Sequence, residues 1–179
     1  MTAIADPTGR AALALAREAV ERYIRTGSVP DPPPDVPPEL RQPAGAFVTL
    51  RVRGRLRGCV GTVTPARADV AREIVASAVA AACTDPRFPA VRADELAALE
   101  YEVDIVEGLE SAKDPTELEP RLYGVLVEAE GRRGVLLPDL PGVDTAEQQV
   151  AIAVSKAGLP PEARVQLHRF RVRRFRESC

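Results

Sequence analysis

The segment Leu56–Gly61, "LRGCVG", gathers the residue types of this chain that could do chemistry. Cys59 stands between Gly58 and Gly61, with Arg57 two residues before it. A free thiol has a pKa of ~8.5, so only about 3% is thiolate at neutral pH. Half-ionisation there takes a shift of about 1.5 units, or roughly 2 kcal/mol. Along an extended strand Arg57 would lie ~7 Å from Cys59. The attraction at that distance is about 0.6 kcal/mol in water and about 2.4 kcal/mol at an effective dielectric of about 20. A sheltered Arg57 therefore activates the thiol and an exposed one does not. The competing reading is that cysteine is a small, soft residue filling a tight site beside glycines.

A second constellation overlaps the first. Gly58, Gly61 and Thr62 lead toward Thr64-Pro65, a cap-plus-proline pattern that predicts a helix start. Unpaired N–H groups at such a start suit phosphate or carboxylate, with Arg57 supplying charge. The spacing matches neither a Walker loop nor GxGxxG, and the glycines equally serve close packing. Asp85 and Arg87 fall in the turn "TDPRFP", Thr84–Pro89. There Arg87 is a second candidate anion ligand, and a simple Asp85–Arg87 pair is the structural alternative. His168 is the only histidine, and a Cys59–His168 dyad requires the fold to join distant segments. No CxxC, HxH or HExxH occurs, so no metal site is expected.

These residues need elements to hold them. Asp6-Pro7 caps a helix whose apolar positions Leu13, Ala16, Val20 and Ile24 recur at helical spacing, and Gly27 stops it. Seven of the sixteen residues from Ser28 to Pro43 are proline, which predicts an extended strap. Val48, Leu50 and Val52 alternate with polar residues, Arg53-Gly54 turns the chain, and the return strand points Leu56 and Val60 inward. By that parity Cys59 faces the other way. A small-residue helix follows from about Pro65 to Cys83. "ADELAAL" is a short helix, and "EYEVDIVEG" a strand with Tyr101, Val103 and Ile105 in and Glu100, Glu102 and Asp104 out. Asp114-Pro115 caps a turn. A hairpin follows with its turn near Gly131, then a helix boxed by Thr145 and Gln148 and stopped at Gly158. The last strand, "VQLHRFRVRRFRE", carries Arg169, Arg171, Arg173, Arg174 and Arg176. Phe175 breaks the parity of Phe170 and Val172, which predicts a bulge at Arg173-Arg174.

The whole predicts an α+β fold of antiparallel sheets with flanking helices, since hairpins alternate with helices and no βαβ unit is evident. The 179 residues are 45% hydrophobic with a net charge of −2 and 4% aromatics. That balance argues against a general nucleic-acid binder and leaves the arginine-rich strand as a charge-protected edge. No apolar run spans a bilayer and the N-terminus lacks the apolar core of an export signal, so a cytoplasmic protein with free thiols is expected.

The pattern "FVTL…LRGCVGT…DPRFP…LLP…KAGL" together resembles the AMMECR domain family, from about Ala46 to Glu177. Val60 stands where the family signature has isoleucine, and the proline-rich strap and arginine-rich last strand depart from its pattern. The resemblance implies one domain over residues 1–179, in two unequal lobes with a cleft between them. The larger lobe would come from the N- and C-terminal parts and the smaller from a central insertion. It implies no settled activity and leaves the cofactor unknown. By association it suggests Memo-type and radical-SAM proteins as partners. Three functions follow as expectations. One is an enzyme or enzyme subunit taking a small anionic or electrophilic ligand at LRGCVG and TDPRFP. Another is a non-catalytic binding or scaffold partner, and the third an RNA-associated protein.

Overall fold

The computed structural model describes residues 6–177. Two compact units make up the chain. One contains the residues up to Ile105 together with those from Arg174 onward, and the other is Val106–Arg173.

In the first unit, α1 (Pro7–Thr26) begins where the Asp6 carboxylate accepts the Thr8 N–H at 2.9 Å. It ends at Gly27, whose φ of 72° is the left-handed C-cap. The proline strap then lays Val36 and Leu40 into the core. β1 (Ala46–Val52) and β2 (Arg55–Gly61) form a hairpin. Its turn residues Arg53 and Gly54 both have positive φ, 50° and 71°, which matches the right-handed twist of the strands. α2 (Val70–Cys83) and β3 (Leu99–Ala112) follow, and the end of β6 (Gln166–Arg176) closes the unit. One face of β1 and β3 (Val48, Leu50, Leu99, Tyr101, Val103) packs under α1 and α2, with Phe175 in the same core.

The second unit holds β4 (Gly124–Ala129), β5 (Arg132–Leu136), α3 (Ala146–Lys156) and the adjoining parts of β3 and β6. The Thr145–Gln148 capping box forms as the pattern predicts. Val125, Val127, Leu136, Ala153 and Leu167 make its core. Hydrogen-bonded neighbours run in the order β2-β1-β3-β6-β4-β5, and the fold is antiparallel α+β.

Three expectations are corrected. α2 starts at Val70 and not near Pro65, because Asp69 is the cap and accepts from Arg72 N–H at 2.8 Å. β6 lies between β3 and β4, so its arginines do not guard an edge. They neutralise acids instead: Arg169 pairs with Glu110, Arg174 with Asp104, and Arg176 with Glu102. Glu102 and Asp104 point away from the helices as read, yet both are buried. The parity change before Phe175 coincides with the passage of β6 from one unit to the other.

Both units bring a helix onto a strand by the same device. A Cβ on Gly58 would stand 2.0 Å from the Ala81 carbonyl oxygen, and one on Gly134 would stand 1.9 Å from that of Ala153. In each case the obstacle is helix backbone, which cannot rotate aside as a side chain can. Gly58→Ala and Gly134→Ala should therefore each destabilise the protein by about 1–3 kcal/mol, although alanine suits a strand at least as well as glycine does. Urea denaturation read by circular dichroism checks this. Midpoints equal to the parent's would mean the helices have room to withdraw.

Candidate functional site

β2 is the outer strand beside β1, so the groups on its free side need partners from elsewhere. The TDPRFP turn supplies them. The Cys59 N–H donates to Asp85 Oδ2 at 2.9 Å, and Arg87 Nη2 donates to the Cys59 carbonyl oxygen at 3.4 Å. Asp85 and Arg87 are joined by three further bonds: from the Arg87 N–H to Oδ1 at 3.1 Å, from Nε to Oδ1 at 3.0 Å and from Nη2 to Oδ2 at 2.7 Å. An acceptor and a donor, locked together, thus take the place of a missing neighbouring strand. The Arg87 guanidinium holds the Asp85 carboxyl down at about 2, helped by the Cys59 and Arg87 N–H groups and opposed by burial.

Arg57 extends the same attachment. Its guanidinium donates to both Glu95 carboxylate oxygens, at 2.8 and 3.0 Å, and to the carbonyls of Pro89 and Ala90. This pairing raises Arg57 above the ordinary guanidinium value and lowers Glu95. The sequence pairs Arg57 with Cys59 by strand parity, but the register slips here: Leu50 opposes Gly58 while Arg51 opposes Leu56. Arg57 is the extra residue of a β-bulge. The bulge also sends Leu56 to the face opposite Val60, reversing the expectation that the two share a face. Leu56 is 36% exposed, whereas Val60 packs against the core.

The expected anion nest at Gly61, Thr62 and Thr64-Pro65 already holds a carboxylate, that of buried Glu73. Thr62 Oγ1 donates to Glu73 Oε1 at 2.7 Å, and the N–H groups of Ala66 and Arg67 donate to Oε2 at 3.0 and 2.9 Å. Gly61 is there for packing, since a Cβ would lie 2.3 Å from the Ala46 carbonyl oxygen. The sequence offers Glu73 as a helix residue only, and nothing in its spacing announces that it reaches back to this loop.

The Cys59 side chain points to the sheet face away from α1 and α2, as parity predicts. Thr49, buried on the neighbouring strand, donates its hydroxyl to Cys59 Sγ at 3.2 Å. Thr49 in turn opposes Glu102 on β3. Across β2, β1, β3 and β6 this face reads Cys59, Thr49, Glu102 and Arg176, with Asp104 and Arg174 beside them. Burial holds the Asp104 carboxyl above its usual range even with Arg174 Nε at 2.6 Å. Arg87 interacts electrostatically with Cys59 and is half exposed. Sequence reasoning missed Thr49, Glu102, Asp104, Arg174 and Arg176 as site residues. The sheet order that aligns them was the lacking information. His168 lies in the second unit, where its Nε2 is 3.3 Å from Glu128. Cys179 falls outside the described residues.

The AMMECR1 family model matches residues 13–178. The chain belongs to the AMMECR1 family. It is similar to a protein of Thermotoga maritima, at 48% identity over 88% of this chain and 92% of that one. Protein PH0010 of Pyrococcus horikoshii, a solved structure, superposes with a TM-score of 0.90 at 33% identity, covering 98% of this chain and 94% of the other. Protein CA_C1420 of Clostridium acetobutylicum is 41% identical over 92% of this chain, but the match covers 35% of that protein. In this AMMECR1 domain LRGCVG supplies the outer strand and DPRFP its cap.

The cap sets an acid limit on this AMMECR1 domain. Asp85 titrates at about 2 in the folded protein and at about 3.9 unfolded. Its contribution is therefore complete above about pH 4 and is lost as the pH falls through about 2. Half-exposed Arg87 is screened by solvent, which brings the contribution to about 1–2 kcal/mol. Asp85→Asn should lower stability at pH 7 by that amount and flatten the loss between pH 4 and 2. Urea titrations at pH 7, 4 and 2.5 measure it, and parallel pH profiles for variant and parent would rule the cap out.

Proposed function

We propose that the sheet face around Cys59 binds a small anionic or electrophilic ligand and that the Cys59 thiol is its nucleophile. The observation that supports this most is the division of labour within LRGCVG. Arg57, Gly58, Val60, Gly61 and the Cys59 backbone each serve packing or the edge cap. The thiol is turned toward the polar face, with Leu56 on the same side. A hydroxyl donor on the sulfur and a guanidinium acting on it are what a nucleophilic thiolate needs. Exposed Leu56, re-aimed by the bulge, offers an apolar wall. In this proposal Cys59 is the nucleophile and Arg87, paired with Asp85, is the cation beside it. Asp85 positions Arg87, while Arg57, Gly58, Gly61 and Thr62 support the strand.

A second reading is a non-catalytic partner of other proteins. It rests on the Clostridium relative, in which the matched region is about a third of a longer chain. Memo-type and radical-SAM proteins are the partners the family resemblance suggests, and co-elution with them tests it. An RNA role has less support, because Arg169, Arg171, Arg174 and Arg176 are all engaged within the protein.

Iodoacetamide labelling of a Cys179→Ser background at pH 7 discriminates the thiol reading. Cys59 should label in the native protein well ahead of Cys83, whose thiol is pushed up by burial. Thr49→Val should slow Cys59 by roughly two- to tenfold, the worth of one hydrogen bond at about 0.5–1.5 kcal/mol. If Cys59 labels only as the protein unfolds, the thiol is a packing group and the partner reading leads.

A further inference from the structure

On the far side of α2 from the sheet, the helix is not polar. Val75, at the margin of the core, half-buried Val79, which packs against that core, and half-buried Ala76 and Ala80 present an apolar strip at i, i+3, i+4 spacing. The proline strap runs alongside, with Val29, Pro30 and Pro32 as the second wall. Together they enclose an open, mainly apolar groove of about 450 Å³, within the range of roughly 300–1,000 Å³ typical of small-molecule sites. Proline fixes φ on the strap side, so that wall is preformed. Val29 is 54% exposed, an apolar side chain left in water at the groove's lip.

Charge tells the occupant apart from a neutral oil. The lining carries Arg67 and Arg72 against a single acid, Asp31. Arg72 is already paired with Asp69. Arg67 is exposed, and among the described residues its guanidinium meets no carboxylate within salt-bridge distance. Its backbone N–H is held by Glu73 Oε2 at 2.9 Å, which fixes the root of the side chain beside the groove. An apolar trough with a tethered cation at its rim is complementary to an aliphatic chain ending in one negative charge.

We propose that this groove binds a medium-chain aliphatic carboxylate, the chain along Val75, Ala76 and Val79 and the head group on Arg67. The site is separate from the Cys59 face, so neither proposal rests on the other.

The test uses the full chain with three probes of equal length: octanoate, octanol and octylamine. Thermal shift and calorimetric titration at 50 and 300 mM salt read the binding. Octanoate should bind best and weaken with salt. Arg67→Glu should weaken it at least about fivefold, the scale of an exposed ion pair turned into a repulsion, and should turn the preference toward octylamine. Asp31→Asn should strengthen it. Ala76→Leu, which fills the trough without adding charge and suits a helix, should abolish binding while leaving the fold intact by circular dichroism. Equal binding of octanoate and octanol, binding that survives Ala76→Leu, or no binding by any probe at millimolar concentration overturns the proposal. So would capture of an apolar peptide with no response to Arg67→Glu, since the groove would then be a protein-docking surface.

Discussion

An outer strand must have its free backbone groups satisfied, and here that constraint falls on Cys59. Its N–H and carbonyl are met by the Asp85 carboxylate and the Arg87 guanidinium, which are themselves locked together. The clasp explains why the turn after α2 must carry those two residue types in that order. It also explains why Arg57 leaves the strand's alternation, since from the bulge it reaches Pro89, Ala90 and Glu95 and holds the rest of the covering segment down. LRGCVG and DPRFP are therefore one structural unit split across 26 residues of sequence separation.

Two polar devices solve similar problems in opposite ways. At the edge, a carboxylate comes in from outside to meet strand amides. Below it, Glu73 is buried in α2 and gathers the loop amides of Ala66 and Arg67 with the Thr62 hydroxyl. An internal carboxylate with three donors costs less to bury than one without them. It also consumes the donors that a free anion would have used. The polar face around Glu102 and Asp104 follows the same rule, with each acid matched to an arginine of β6.

How far the sequence could be read depended on how local each cause is. Caps and turns were legible because their chemistry sits within a few residues: Asp6 with Pro7, Arg53 with Gly54, Thr145 with Gln148, and Gly27 and Gly158 at helix ends. The inward set of β1 and β3 was legible from alternation alone. What failed required a partner far along the chain. Thr64-Pro65 has every local mark of a helix start, yet Glu73 draws that stretch into a loop and Asp69 caps the helix instead. Leu56 kept its expected parity only until a single extra residue entered the strand. The arginines of β6 carry the pattern of a guarded edge, and only the sheet order reveals that they lie in its interior.

The same distinction bears on the thiol. Strand spacing alone makes activation of Cys59 by Arg57 depend on how sheltered Arg57 is. The structure shelters Arg57, at 13% exposure, but commits its charge to Glu95, so it cannot serve the sulfur. Thr49 on the neighbouring strand donates to the sulfur, and Arg87 of the edge clasp donates to the Cys59 carbonyl oxygen. Arg87 thus closes the strand edge, and its charge also interacts with Cys59. Such coupling ties the electrostatics of the sulfur to the integrity of the fold. A cysteine set on a flexible loop would have no such tie, because its surroundings could relax without disturbing a sheet. Here a movement that withdraws Arg87 also takes the donor away from the Cys59 carbonyl oxygen.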